Sequence, residues 1–176
     1  VSGYCLTKDP YYLDSSAPDV WKNRGFPSTW NTARRAADFQ TTYAFNRIIE
    51  YFEGSIEGKR IVIGGITYKE NIDDTRLSHG RELIAMFKKQ KADLIIWDNV
   101  TSDNIVDGIN VKKTSKALEG ADCLLITVPH DEYIEWNIKK KNISRMKNKI
   151  IFDGWGIIDN SNIEDLVLFG TGMGKK

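Results

Sequence analysis

The chain has 176 residues, 41% of them hydrophobic, with 25 lysines and arginines against 24 aspartates and glutamates and a formal net charge of +1. That is enough apolar chain for a sizeable core in one domain, or in one domain plus an appendage. The near-neutral charge gives no footprint for nucleic acid, and no apolar run approaches the roughly 18 residues of a membrane span.

Two cysteines, Cys5 and Cys123, are too few for a disulfide framework, and no Cys and His spacing resembles a zinc site. A reducing, cytoplasmic setting without a metal is expected. The first residue is Val1 and no charged, apolar leader follows it, so the chain is expected to be cut from something longer.

In chain order, the first informative stretch is GYCLTKDPYYL, residues 3–13, which sets Cys5 three residues from Lys8 and four from Asp9. A neighbouring ammonium and a helix N-terminus both favour a thiolate, the form that attacks carbonyls. Asp9 is suited to cap a short helix, with Pro10 at its first position. From the residues alone, Cys5 is expected to be a small packing residue and Lys8 a solvated charge, and Asp9 is readable as a cap only.

From Leu13 to Gly25 the chain reads as loop plus a helical turn, with Trp21 the only large apolar residue among polar neighbours. A helix of about 24 residues, some 36 Å long at 1.5 Å per residue, is predicted from a cap at Ser28 or Thr29. Its apolar face is predicted at Ala33, Ala36, Ala37, Ala44, Phe45, Ile48, Ile49 and Phe52, and Gly54 stops it. Such a helix suits a link between domains or a subunit contact.

Beyond the linker at residues 54–59 the pattern becomes strand and helix alternation. Strands are predicted at residues 60–66, 93–97, 122–128 and 149–153. Helices are predicted at 78–90 and 115–119, and the stretch 130–141 is assigned to a connecting helical segment. Continuous apolar strands indicate burial on both faces, so the expected fold class is α/β: a Rossmann-like parallel sheet flanked by helices, preceded by a helical segment with one long helix.

In open parallel sheets, ligands bind beyond the carboxyl ends of the strands. The loop after the first strand, GGITYKENIDDTRLS at residues 64–78, offers glycines, Lys69, Arg76 and a helix cap at Ser78, a combination that can hold phosphate. An ordinary polar loop with an internal Asp–Arg pair is the alternative. Cys123 lies in an apolar strand and is expected to be structural. His79 and His130 stand without a carboxylate at ligand spacing and are expected to be cap or surface residues. The run Lys139–Lys141 is expected to be a solvated helix end. Asp98 stands where a dinucleotide fold places a ribose-binding acid, without the glycine fingerprint that accompanies it.

The two blocks GYCLTKDPYYL and GGITYKENIDDTRLS, in this order and separated by a long helix, resemble the nucleotide-sugar 6-dehydrogenases acting on UDP-glucose, GDP-mannose and UDP-N-acetylmannosamine. IIFDGWGII and the residues Leu168–Gly172 add to the resemblance, which spans nearly the whole chain. It implies that residues 1–54 are the helical end of a central domain and residues 55–176 a C-terminal UDP-sugar-binding domain. It further implies oxidation of a sugar CH2OH to a carboxylate, for polysaccharide precursors, while two NAD are reduced. The NAD would be bound mainly by a domain absent from this chain.

By the same resemblance Cys5 is the nucleophile and Asp9 activates water. Lys8 and Arg76 lie at the cofactor, Tyr68 and Lys69 contact the nucleotide sugar, UDP is favoured over GDP, and the long helix pairs in a homodimer. The chain departs from the family pattern at Trp155, where many members carry an arginine, at Gln40-Thr41 in place of Met-Pro, and at Trp97-Asp98-Asn99 in place of Tyr-Asp-Pro. A non-catalytic nucleotide or nucleotide-sugar binding module is the alternative reading of the same residues.

Overall fold

The computed structural model describes residues 5, 7–19, 28–137, 140–158 and 165–170. Trp21, Gly25, Lys139 and Gly172, each part of an expectation above, lie outside the described residues.

Helix α1 spans Asp9–Ser16, so it continues past Leu13, where a loop was predicted. Its hydrogen bonding starts a turn earlier, since the Cys5 carbonyl accepts the N–H groups of Lys8 and Asp9 at 3.1 and 2.8 Å. Asp9 is therefore inside the helix and is not its cap; Lys8 holds the cap position and makes no side-chain capping bond. The carbonyl of Cys5 satisfies those amides directly, leaving nothing for an Asp9 cap to do.

Helix α2 spans Thr29–Tyr51, and Ser28 caps it by accepting the Asn31 N–H at 3.2 Å. Its buried face runs Arg34, Ala37, Thr41, Ala44 and Ile48, a clean i+3, i+4 series. Ala33 and Ala36, predicted inside, are exposed. The inward face admits two polar residues, so an apolar count alone puts the stripe one position off. Both have partners: Arg34 pairs with Asp38, and the Thr41 hydroxyl lies 2.9 Å from His79 Nδ1.

The sheet then forms from β1 (Arg60–Gly64), β2 (Asp93–Trp97), β3 (Ile105–Val106), β4 (Ile109–Lys112), β5 (Cys123–Ile126), β6 (Ile150–Asp153) and β7 (Val167–Phe169), in the order β3-β4-β2-β1-β5-β6-β7. All pairings are parallel except β3 with β4. Helix α3 (His79–Lys89) joins β1 to β2, and helix α4 (Asp131–Asn137) follows β5. Ser78 caps α3 as predicted, accepting the Arg81 N–H at 3.3 Å.

Alternate residues of each strand serve two cores. Ile61 and Ile63 pack with Leu83 and Phe87 of α3 and with Ala44 and Ile48 of α2. Val62 faces the other way, toward Leu118, Leu124, Tyr133 and Ile151. Burial on both faces explains why these strands read as unbroken apolar runs.

Two additions were not predicted: the short β3–β4 hairpin at one edge, turned by Asp107-Gly108 with positive φ at both residues, and edge strand β7.

Candidate functional site

β1 lies in the middle of the sheet. From it the chain first builds β2, β4 and β3 to one side, then returns to build β5, β6 and β7 to the other. The order reverses beside β1, and the carboxyl ends of β1 and β5 flank the resulting crevice, the place where open α/β sheets bind ligands.

The loop after β1 enters that crevice through Gly65, whose φ is +89° and where a Cβ would lie 2.7 Å from Val128 Cβ. Only glycine permits this approach of the β1 and β5 ends. Thr127, just past β5, closes it further by donating its hydroxyl to the Gly65 carbonyl.

Within the loop the predicted residues fall into place around Asp74. The Tyr68 N–H donates to the Asp74 carbonyl at 2.9 Å. Arg76 grips the Asp74 carboxylate through Nε at 2.9 Å and Nη2 at 2.7 Å. The Arg76 bonds hold the Asp74 carboxyl down at about 2. Lys69 is exposed, with its ammonium 3.9 Å from the Glu70 carboxylate, so its charge faces solvent at the crevice mouth. The Asp–Arg pair expected of an ordinary polar loop is thus present, and it sits beside an accessible cation.

The N-terminal residues form a separate group. Cys5 is exposed. Lys8 donates to Asp9 at 2.8 Å, a bond that raises the Lys8 pKa, and the Lys8 ammonium lies 5.2 Å from the centre of the Tyr12 ring. The Cys5 and Lys8 carbonyls accept backbone N–H groups at the start of α1, and Lys8 pairs with Asp9. These contacts are local to α1 and the turn before it, as those of Arg76 with Asp74 and of Lys69 with Glu70 are local to the loop after β1.

Cys123 is fully buried and burial pushes its thiol up to about 12, in keeping with a structural role. His79 begins α3, beside Thr41 and 3.6 Å from the Glu82 carboxylate. Its hydrogen bond lowers the Glu82 pKa. A pocket of about 270 Å3 opens between α2, the start of α3 and the ends of β5 and β6, with Gln40, Thr41, His79, Thr127 and Trp155 in its wall. The Trp155 indole N–H donates to the Thr127 carbonyl at 3.0 Å, which holds the ring across the strand ends.

His130 corrects the sequence reading, while Asp98 agrees with the missing glycine fingerprint. Both are completely buried. Asp98 Oδ1 accepts the N–H groups of Val100 and Thr101 at 2.8 and 2.9 Å. Its Oδ2 accepts the Ile66 N–H at 2.7 Å and lies 3.2 Å from His130 Nε2. Burial pushes the Asp98 carboxyl up, yet the bonds from His130, Ile66 and Thr101 outweigh it and leave the pKa lowered. Asp98 has no free oxygen for a ribose, and His130 is no surface residue. The signal in the sequence was positional: each follows a strand that neighbours β1, so a parallel sheet brings their ends together across it.

Two further facts bear on cofactors and membranes. Among the described residues no group of His, Cys, Asp and Glu could hold a metal ion, and no helix is long and apolar enough to cross a membrane.

Comparison with known proteins agrees with this geometry. The model of the UDP-glucose/GDP-mannose dehydrogenase family, UDP binding domain, matches residues 62–160. The UDP-N-acetyl-D-mannosamine dehydrogenase of Methanocaldococcus jannaschii is 30% identical over 161 residues, which cover 90% of this chain and 35% of that protein. The UDP-glucose 6-dehydrogenase of Drosophila melanogaster is 26% identical over 195 residues, covering 99% of this chain and 40% of that protein. Among solved structures, the UDP-D-ManNAc dehydrogenase of Pyrococcus horikoshii superposes with a TM-score of 0.76 at 24% identity, over 97% of this chain and 38% of that one. The NDP-N-acetyl-D-galactosaminuronic acid dehydrogenase of Methanosarcina mazei gives 0.80 at 21% identity, over the same shares. These superpositions establish the shared Rossmann-like α/β fold. The chain spans 35% to 40% of the length of these curated relatives.

Proposed function

Because this chain belongs to the UDP-glucose/GDP-mannose dehydrogenase family, we propose that it is the C-terminal portion of an NAD-dependent nucleotide-sugar 6-dehydrogenase. In this reading residues 1–54 end the central domain and residues 55–176 hold the nucleotide sugar. The observation that carries it is the exposed Lys69 on a loop at the strand-order reversal, with Tyr68 beside it and Arg76 braced by Asp74. A cation presented at a strand-end crevice is suited to the diphosphate of the substrate. The two sequence relatives named above carry UDP-sugar names, so UDP is favoured over GDP.

The dinucleotide does not fit this sheet. The glycine fingerprint is missing from the sequence, and Asp98, the acid at the ribose position, has both oxygens committed. NAD, the acceptor of the four electrons in a CH2OH-to-carboxylate oxidation, is proposed to be held by a domain outside this chain, with Lys8 and Arg76 at its edge.

What this chain supplies is the covalent carrier. The Cys5 thiolate adds to the C6 aldehyde, forming a carbon–sulfur bond while the oxygen takes up a proton. Loss of a hydride from C6 and of the hydroxyl proton of that thiohemiacetal, two electrons and two protons in all, leaves a thioester. Water then attacks the acyl carbon, the carbon–sulfur bond breaks, the thiolate returns, and the acid is released. Asp9 takes the water's proton in this scheme, and its partner Lys8, 2.8 Å away, steadies the carboxylate. The exposed aromatics Trp30 and Phe39 on α2 favour pairing of this helix with a second copy in the intact enzyme.

Titration calorimetry of the chain with UDP and GDP tests the binding half of the proposal. UDP is expected to bind, and Lys69→Ala to weaken it about tenfold, as expected for loss of a charge-assisted bond. Absence of affinity for either nucleotide would overturn it. A chain that binds UDP while its full-length protein turns over without Cys5 would instead be a non-catalytic binding module.

A further inference from the structure

We infer that His130 is a positioning residue for the nucleotide-sugar site, a buried imidazole that holds the Thr67 hydroxyl on one side of Tyr68 and Lys69 and the Asn71 N–H on the other. The inference rests on the proposed role of that loop.

The ring is placed to act on the loop from beneath. His130 Nδ1 lies 3.0 Å from the backbone N of Asn71. A backbone N–H can only donate, so Nδ1 is the accepting, unprotonated nitrogen. The proton of the neutral ring is then on Nε2, which faces Asp98 Oδ2 at 3.2 Å and Thr67 Oγ1 at 3.3 Å. Thr67 Oγ1 in turn donates to the Lys69 carbonyl at 2.8 Å, so its lone pairs remain open to Nε2–H.

One imidazole therefore reaches residue 67 on one side of Tyr68-Lys69 and residue 71 on the other. Asn71 needs that hold, because it sits at a φ of +56°, a left-handed conformation that side chains other than glycine adopt at some cost. The Asn71 carboxamide oxygen also accepts the Asp131 N–H at 3.3 Å, tying the loop to the start of α4.

The groups packed around the ring are committed elsewhere. Asp98, from the end of β2, is held by backbone donors. Tyr133 of α4, with its ring 5.4 Å away, donates to the Trp97 carbonyl at 2.5 Å. Loss of the imidazole therefore loosens the segment that carries Tyr68 and Lys69, while the sheet beneath keeps its own bonds.

The test is UDP affinity of the full chain at neutral pH, compared among wild type, His130→Ala and His130→Asn. His130→Ala should bind about tenfold more weakly. His130→Asn keeps an acceptor near the Nδ1 position, so it should recover most of that affinity, which a residue that only fills space would not do.

NMR of ring-labelled histidine gives a reading that needs neither variant nor nucleotide: an Nε2–H tautomer. An Nδ1–H tautomer, unaltered affinity in His130→Ala, or no recovery of affinity in His130→Asn would each overturn the inference. If wild type does not bind UDP, the proposed function fails, and the tautomer measurement still decides whether His130 holds the loop.

Discussion

The two helices at the start of the chain and the sheet after them solve burial differently. α1 buries none of its residues, α2 buries five, and Tyr11, Tyr12, Leu13, Trp30 and Phe39 stay exposed. The sheet shuts its apolar side chains between two faces: β5 and β6 are buried at every residue. The sheet's core also takes in Ala44 and Ile48 of α2, whereas the aromatics at the start of the chain stay open to solvent, and the exposed thiol of Cys5 stands beside them.

The sharpest way to break this contrast is by truncation on each side of it. Phe87 is fully buried, with its ring 5.2 Å from Phe45 of α2. Phe87→Ala is expected to destabilise the fold by about 3–5 kcal/mol. Tyr12→Ala, at an exposed position of α1, should stay within about 0.5 kcal/mol. Denaturant unfolding of both variants checks this, and equal losses would erase the distinction.

Thiol reactivity divides the two regions in the same way. Cys5 is exposed, whereas Cys123 is sealed in β5 with its thiol pushed up to about 12. Alkylation of the native chain near neutral pH, followed by mass spectrometry, is expected to label Cys5 at least about a hundredfold faster. Comparable rates would mean that β5 opens as readily as the N-terminal helix.

The smallest effect lies in the loop that joins sheet to site. Arg76 depresses the Asp74 carboxyl to about 2 in the folded chain, below the roughly 3.9 of an unfolded aspartate. A lowered folded value means the pair's contribution is present above about pH 4 and is lost as pH falls toward 2. Arg76→Ala should return the Asp74 titration, followed by carboxyl NMR, toward about 4 with little change at neutral pH. An unmoved titration would mean that the ion pair is not what holds Asp74.

The strands were legible in the sequence because both-face burial writes unbroken apolar runs, and the Ser28 and Ser78 caps because capping chemistry is local. The β3–β4 hairpin was equally open to reading, since Asp107-Gly108 between Val106 and Ile109 is a two-residue turn signal. The face of α2 was harder, because Arg34 and Thr41 are inside it and their partners are Asp38, one turn on, and His79, on another helix. His130 was beyond local rules altogether. Its partners Asp98, Thr67 and Asn71 are 32 to 63 residues away, and only the order of the strands brings them into contact. The candidate residues Tyr68, Lys69 and Arg76 could be placed on a loop by inspection; that Asp74 braces two of them required the fold.

The most direct test of the account is turnover of the intact enzyme, supplied with its UDP-sugar and NAD, after Cys5→Ala. Loss of acid formation, with UDP affinity of the C-terminal part unchanged, is the predicted result. Full production of the sugar acid without that sulfur would contradict it.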